Sequence, residues 1–489
     1  MARPTLLQNS FVAGMRRDFS RNQLPQGSCW DIKDYIPNEG APLRGRGGYA
    51  YASPDLSTVN AATTYVTGGI FAPFSAAAAN VCVDEDGRVY SFTAGAATDR
   101  TTVAGLGLQK QNPVFHANLV IFPSDDGTTL PAKWSGSGNI AALGGTPPAG
   151  QYATVFKDYT LLAGTAANPR RIIFSEPGNP DTTWDQTNAI WDVGTDIKGI
   201  AALRNVILVF QAGTTARLRG SIPPPDGDMA LDDPVYDVGI ADARSIAYWH
   251  ERVIWASTEG IFRSDGSTLE DLTRRGSMLT YWQDLMATFS STYIISGGVI
   301  RDSYILSVND AGTPVQSFLI DMNSGSWFRL SNIDAHAFWG ATGAVTDELY
   351  FGRRNGARVA SVSSFWNPVS AVKNDANAVA VLPALETPFY EGPAGIKSWK
   401  RAYLGYELTD YGSDNPTFTA AYIKTPEETS YTSITGAGLA EGTTYTRSRF
   451  PLNVNAHGIG LRFLRSGAGD TLLYGIEAEF RAREQSRLA

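Results

Sequence analysis

The chain is poor in cysteine, histidine and charge, and each shortage removes a class of protein. Its 489 residues hold two cysteines, Cys29 and Cys82, 53 positions apart. That is too few for a disulfide-stapled secreted scaffold, and no Cys-x-x-Cys pair offers a metal or redox centre, so both read as buried reduced thiols. The four histidines, His116, His250, His336 and His457, share no metal-ligand spacing. There is no Gly-x-Ser-x-Gly elbow and no Gly-x-x-x-x-Gly-Lys-Ser/Thr phosphate loop. No Gly-X-Y period or sustained heptad occurs, which excludes collagen and coiled coil. No apolar run reaches the ~18 residues of a membrane span. Met1 to Phe19 has no continuous apolar stretch and carries Arg3, Arg16 and Arg17, so the expectation is a chain made and folded in a cytoplasm, without membrane insertion. Charged residues are 18% of the chain, and 40 basic against 48 acidic groups leave a formal charge of -8. That balance argues against non-specific capture of nucleic acid by the chain as a whole.

Apolar residues, in contrast, are plentiful at 43%, enough to offset the entropy of ordering and to exclude a disordered chain. They recur in short β-rich runs: Asn80-Val81-Cys82-Val83, Leu119-Val120-Ile121-Phe122, Tyr159-Thr160-Leu161-Leu162, Val206 to Phe210, Val253-Ile254-Trp255, Tyr304-Ile305-Leu306 and Leu349-Tyr350-Phe351. Anchors at 82, 120, 161, 207, 254, 305 and 350 are spaced by 38, 41, 46, 47, 51 and 45 residues, the size of a four-stranded propeller blade. The dipeptides Asp86-Gly87, Asp126-Gly127, Asp265-Gly266 and Asn355-Gly356 follow these runs and supply the positive φ of tight hairpin turns. A blade cannot bury both of its faces alone, and radial stacking solves that problem. Seven blades are favoured, with six or eight open.

The first fifty residues carry seven basic and four acidic groups and few helix signals, and so read as an extended arm. Met278, Trp282, Leu285 and Phe289 predict one short amphipathic helix over 277–287, a core-packing stripe. Beyond Tyr390-Glu391-Gly392-Pro393 the alternation becomes cleaner. Leu472, Tyr474, Ile476, Ala478 and Phe480 line one face, and Ala402, Leu404, Tyr406 and Leu408 repeat the pattern, as expected of strands packed on one side. The expected fold is therefore all-β: an N-terminal arm over 1–50, a β-propeller over 51–390 and an antiparallel β-sandwich over 391–489.

Candidate chemistry is sparse. Asp84-Glu85-Asp86-Gly87 resembles half a calcium loop but lacks the remaining ligands, and a hairpin turn is the plainer reading. Asp232-Asp233-Pro234 reads as a surface loop. Arg170-Arg171, Arg274-Arg275 and Arg353-Arg354 come from different blades and could converge as in a glycan-degrading propeller, but the Ser-x-Asp-x-Gly-x-x-Trp box of sialidases does not recur, and solvated charge is the alternative. The eleven tryptophans read as blade-interface fillers, with a carbohydrate-stacking platform as the other option. No cofactor, metal or catalytic residue is expected, and the chain is expected not to be an enzyme.

The two ends carry a resemblance. Asp18-Phe19-Ser20, Leu24-Pro25-Gln26-Gly27 and Leu43-Arg44-Gly45-Arg46-Gly47-Gly48-Tyr49 resemble the start of bacteriophage tail hub proteins, in which a short arm precedes a β-propeller. Lys397-Ser398-Trp399-Lys400-Arg401, Arg447-Ser448-Arg449-Phe450-Pro451-Leu452 and Ile476-Glu477-Ala478-Glu479-Phe480 resemble the β-domain closing tail nozzle and packaged-DNA-stabilisation proteins of short-tailed phages. The resemblance implies a virion tail component: a homo-oligomeric, hexameric ring at the distal tail that retains the packaged genome and conducts it during ejection. Implied partners are further copies of the chain, a tail adaptor or tube protein, tail fibres or a tip protein, and genomic DNA transiently in the lumen. A net-acidic wall suits such a conduit, because each neutralised phosphate would hold DNA back. Arg16, Arg17, Arg44 and Arg46, with Arg481, Arg483 and Arg487, are then expected at subunit or adaptor contacts. The alternatives are a receptor- or carbohydrate-binding propeller at a tail tip and a glycan-degrading propeller.

Overall fold

A computed structural model describes residues 5–8, 11–37, 43–93, 95–102, 106–187, 190–224, 227–289, 292–310, 315–341, 348–366, 375, 381–391, 397–410, 417–434, 442–466 and 469–482. Each of the seven apolar runs forms the second strand of a small antiparallel sheet, from Ala79–Asp84 in the first to Glu348–Arg353 in the last. Blades 1 to 7 occupy 66–99, 114–142, 152–192, 199–236, 247–271, 294–330 and 335–361. The first strands face the axis, and that of blade 7, Ala335–Ala341, lies against that of blade 1, Val66–Ala72, closing the circle. Blade 7 has three strands of its own and takes its fourth, Ala50–Tyr51, from the end of the arm. The fold is a seven-bladed β-propeller.

The second strands are apolar without interruption because both of their faces are covered. In blade 2, Val120 and Phe122 pack toward blade 1 while Ile121 packs toward blade 3. In blade 4, Ile207 and Val209 face blade 3 while Leu208 and Phe210 face Val253 and Trp255 of blade 5. Each such buried side chain contributes roughly 1.5–3 kcal/mol, against about 1 kcal/mol for a correct turn glycine, so the runs and not the turns set the register. The turns agree nevertheless: Asp86-Gly87, Asp126-Gly127 and Asn355-Gly356 join second to third strands, with Gly87 at φ 74° and Gly127 at φ 69°. Asp265-Gly266 joins the third strand of blade 5 to its fourth. The helix expected over 277–287 spans Leu279–Ala287, with Met278 and Trp282 fully buried, after a single turn Leu272–Arg275.

The C-terminal region is a sandwich of two antiparallel sheets. One contains Gly442–Ala456, Lys397–Asp410 and Gly469–Ala482; the other contains Ala384–Glu391, Gly458–Ser466, Thr417–Ile423 and Thr432–Ser433. Tyr406 meets Phe418 and Phe450 meets Phe463 edge-on across the gap. The expected boundary at 390 moves, because the sandwich strand Ala384–Glu391 precedes it.

The arm is not a free extension. Thr5–Gln8 pairs with Gly469–Ala482, and Asp31–Lys33 lies between the outer strand of blade 6, Trp327–Leu330, and sandwich strand Ala384–Glu391. One sheet therefore runs from blade 6 through the arm into the sandwich. Tyr35–Ile36 and Leu43–Gly45 then join the other sandwich sheet. The chain changes sheets at Asp34, a non-glycine residue at φ 57°, a conformation that side chains tolerate only when their surroundings over-determine it.

Candidate functional site

What fixes Asp34 is Arg46. The Arg46 Nε donates to Asp34 Oδ1 (2.8 Å), its Nη1 and Nη2 donate to both oxygens of Asp375 (2.8 and 2.9 Å), and Nη2 also donates to the Ser331 carbonyl (2.8 Å). Asp34 accepts further from the Ser331 amide and hydroxyl, and Asp375 from the Tyr49 amide and Asn332. The side chains of Arg46, Asp34 and Asp375 are shut off from solvent, and the guanidinium lies 4.7 Å from the centre of the Phe365 ring. Arg46 was expected on a subunit surface. It is instead the buried knot where arm, blade 6 and the chain after blade 7 meet, because two carboxylates distant in sequence turn it inward.

The other arginines expected at contacts are half-buried against their own chain. Arg16 donates to the Ser277 hydroxyl (3.0 Å), Arg17 stacks over Trp30 and Tyr281 (4.4 and 5.4 Å), and Arg44 donates to the Trp366 carbonyl (3.2 Å). Arg481 sits opposite Ser398 in strand Gly469–Ala482. Its side chain lies outside the described residues, as do Arg483 and Arg487.

Other sequence candidates resolve into structure as well. Asp84 is buried in a hairpin turn and accepts from the amides of Asp86 and Arg88 and from the hydroxyls of Thr63 and Tyr90. Asp232-Asp233-Pro234, read as a loop, falls in the outer strand of blade 4, Ala230–Tyr236, where Asp232 pairs with Arg217 and Arg219. Cys29 and Cys82 are buried free thiols. Arg170 donates to the Gly194 carbonyl, Arg171 approaches Asp192, Arg274 pairs with Asp271, Arg275 with Glu270, and Arg353 grips Asp334 through two bonds. Arg354 lies close enough to Tyr65 and His336 for its charge to lower the pKa of both.

That axis ends in a polar mouth. Tyr65, Lys110, Lys198, Arg244 and Tyr293 each stand just before the first strand of a blade, and His336 is the second residue of the first strand of blade 7. Arg244 makes a doubly bonded pair with Asp242, and its Nη1 lies 3.4 Å from His336 Nε2. His336 Nδ1 lies 3.3 Å from the Thr67 carbonyl. The carbonyl can only accept, so the proton sits on Nδ1 and Nε2 accepts from the guanidinium. Burial first, and the Arg244 charge second, hold His336 well below its ordinary value of 6.5. Burial likewise lowers Lys110, opposed by Asp125 and reinforced by Lys198 and Arg244. The Tyr65 ring packs 5.4 Å from that of His336.

Below the mouth the bore narrows to a cavity of about 330 Å³ lined by first strands from around the ring. Side chains cross it: the Asn112 amide donates to the Phe338 carbonyl of blade 7 (2.6 Å) and the Gln111 amide to the Ile200 carbonyl of blade 4 (2.8 Å). Gly69 is required here, since a Cβ would lie 2.5 Å from the Trp339 ring. Tyr248 lines the cavity and is half exposed, yet burial of its hydroxyl raises it, against hydrogen bonds with Thr154 and the Ala202 backbone. Sequence reasoning passed over Tyr65, Lys110, Lys198, Arg244 and Tyr293, and noted His336 only for its lack of metal-ligand spacing. Their one signal is phase: most stand just ahead of the first strand of a blade, one strand before the apolar run.

No family model and no curated protein matches the chain. Solved structures do. A computationally designed protein, Ika8, is 13% identical over 64% of this chain and 99% of its own, with a TM-score of 0.37. BamB from Moraxella catarrhalis is 13% identical over 67% of this chain and 92% of its own, also at 0.37. An exo-beta-1,3-galactanase from Phanerochaete chrysosporium is 11% identical over 89% of this chain and 100% of its own, at 0.29. At such identities and TM-scores the likeness says nothing of what the chain does. The galactanase among these neighbours runs against the expectation that the chain is not an enzyme, and that expectation is withdrawn.

Proposed function

We propose that the chain is a structural subunit of a phage tail, closing with further copies into a hexameric ring at the distal end that retains the packaged genome and conducts it on ejection. One observation carries the reading. The two ends that bear the resemblance are built into each other: strand Leu43–Gly45, within the first of them, pairs with Gly469–Ala482, the strand that holds Ile476 to Phe480, and Thr5–Gln8 ahead of it pairs with the same strand. The arm thereby joins propeller and sandwich through one continuous sheet, which suits a subunit of a ring. The conduit lies between subunits. At about 330 Å³ the cavity in the bore of one propeller is the size of a small-molecule pocket, and Asn112 and Gln111 cross it. Ring contacts are made by surfaces other than Arg46, which the knot consumes.

Native mass spectrometry and negative-stain microscopy of the full chain, alone and with the tail adaptor, test the reading. A closed ring of defined copy number is the expected result. A strict monomer at assembly concentrations in both preparations rejects it.

A further inference from the structure

Of the four turn dipeptides that follow the apolar runs, three are locked and one is not. The Gly87 amide donates to the Asp84 carbonyl (3.1 Å), and the Gly127 and Gly266 amides donate to the hydroxyls of Ser124 and Ser264 (3.1 and 2.9 Å). These three glycines are also hemmed in, since a Cβ on them would clash with Gly107, Ala166 and Val206 in turn. Asn355-Gly356, the chain's one Asn-Gly step, sits at the tip of the hairpin joining Glu348–Arg353 to Val359–Ser361 and differs on each count. Among the described residues, the Gly356 amide and the Asn355 side chain make no hydrogen bond, and Asn355 is exposed. A Cβ on Gly356 would meet one atom, Arg353 Nη1, at 3.7 Å, so the tip has room to move. The backbone around the pair is nevertheless held: the Asn355 amide donates to Asp334 Oδ2 (3.2 Å) and the Arg358 amide to the Gly356 carbonyl (2.8 Å). A free amide nitrogen is thus kept beside an unengaged carboxamide, a nucleophile next to its electrophile.

We propose that Asn355-Gly356 is a self-modification site that uses water alone. Hydroxide takes the Gly356 amide proton, and the nitrogen attacks Asn355 Cγ. A bond forms between them, the carboxamide C–N bond breaks, and ammonia leaves with a proton returned by water. Water then opens the cyclic imide at one carbonyl or the other, giving aspartate or isoaspartate, with nothing oxidised or reduced. Isoaspartate adds a methylene to the backbone of a turn whose rungs, Arg353 to Arg358 and Gly352 to Val359, position strand Val359–Ser361. That strand holds Ala50–Tyr51, the arm segment that completes blade 7. The modification therefore acts on the clasp between arm and propeller, whether or not the chain forms a ring.

The test incubates the full chain at mildly alkaline and at mildly acidic pH and maps its peptides by mass spectrometry, with isoaspartate read by enzymatic methylation. Asn355 is expected to convert ahead of every other asparagine, faster in alkali, while Asp86, Asp126 and Asp265 stay unchanged. Amide exchange at Ala50 and Tyr51 is expected to quicken several-fold in the aged chain. It is expected to stay unchanged in an Asn355→Gln chain aged alongside, because glutamine must close a larger and slower ring. Conversion of Asn355 that is much slower in the native chain than in the urea-unfolded chain overturns the proposal, since the fold then shields the pair. Conversion of the exposed Asn323, which precedes Ser324, at the same pace as Asn355 also overturns it. Full conversion with unaltered exchange at Ala50 and Tyr51 overturns the effect on the clasp.

Discussion

Two places in this molecule gather arginine and lysine, and they use them in opposite ways. At the knot, Arg46 is dry and every donor finds an oxygen, with Asp34 and Asp375 held in turn by amides and hydroxyls. At the mouth, Lys110 stands near Lys198 and Arg244 and is met by Asp125 and Asp126 without a hydrogen-bonded ion pair among the described residues. A buried charge is tolerable only when paired and fully hydrogen-bonded, so the first arrangement belongs to the architecture. The second is exposed at Lys198, and its lysine charges are met at a distance and not locked. The same residue types thus join the fold in one region and stay solvated in the other.

Breaking the knot gives the largest effect. Arg46→Met leaves two buried carboxylates without their cation and is expected to cost about 3–5 kcal/mol of stability, read from the midpoint of urea unfolding. Adding Asp34→Asn and Asp375→Asn to that variant recovers part of the loss, which a purely steric account of Arg46 does not allow. The comparison is next sharpened inside the bore, where packing alone decides. Gly69→Ala drives a methyl to within 2.5 Å of the Trp339 ring, and overpacking of this kind costs about 1–3 kcal/mol, visible as a lowered thermal midpoint with the arm still protected from hydrogen exchange.

The smallest effect is at the mouth and depends on pH. His336 titrates well below 6.5 in the folded chain because burial and Arg244 disfavour its cation. Above about pH 6.5 the residue is neutral in both states and nothing is lost. As pH falls through that value, the unfolded chain takes up a proton that the folded chain refuses. Stability then drops by up to ~1.36 kcal/mol per pH unit until the folded value is reached. His336→Asn is expected to flatten this part of the profile between about pH 6.5 and 5, measured as urea midpoints at each pH. An unchanged slope would place the acid sensitivity elsewhere.

The seven second strands were legible in the sequence because their environment is the same in every blade. Val120 and Ile121 point to opposite neighbours, both neighbours are apolar, and an uninterrupted run results. The short helix was legible for a similar reason, since Met278 and Trp282 bury one stripe. The first strands were not. Gly69 and Gly297-Gly298 in first strands, and Asn112-Pro113 just ahead of one, line a crowded axis, and small or polar residues there break the alternation that marks a strand. The arm was misread for a different reason. In a Gly-rich stretch Arg46 looks solvated, and nothing near it in sequence announces Asp375, 329 positions away.

The amino-acid order by itself marked the second strand of each blade, the spacing of the blades and the hairpin turns within them, and left six to eight blades open. These rest on burial and backbone conformation that each repeat supplies within about forty-five residues. Only the tertiary structure decided where the charges lie. A guanidinium becomes a core group or a surface group according to which distant carboxylates the closed ring brings to it, and that distance is set when strand Ala50–Tyr51 completes the last blade.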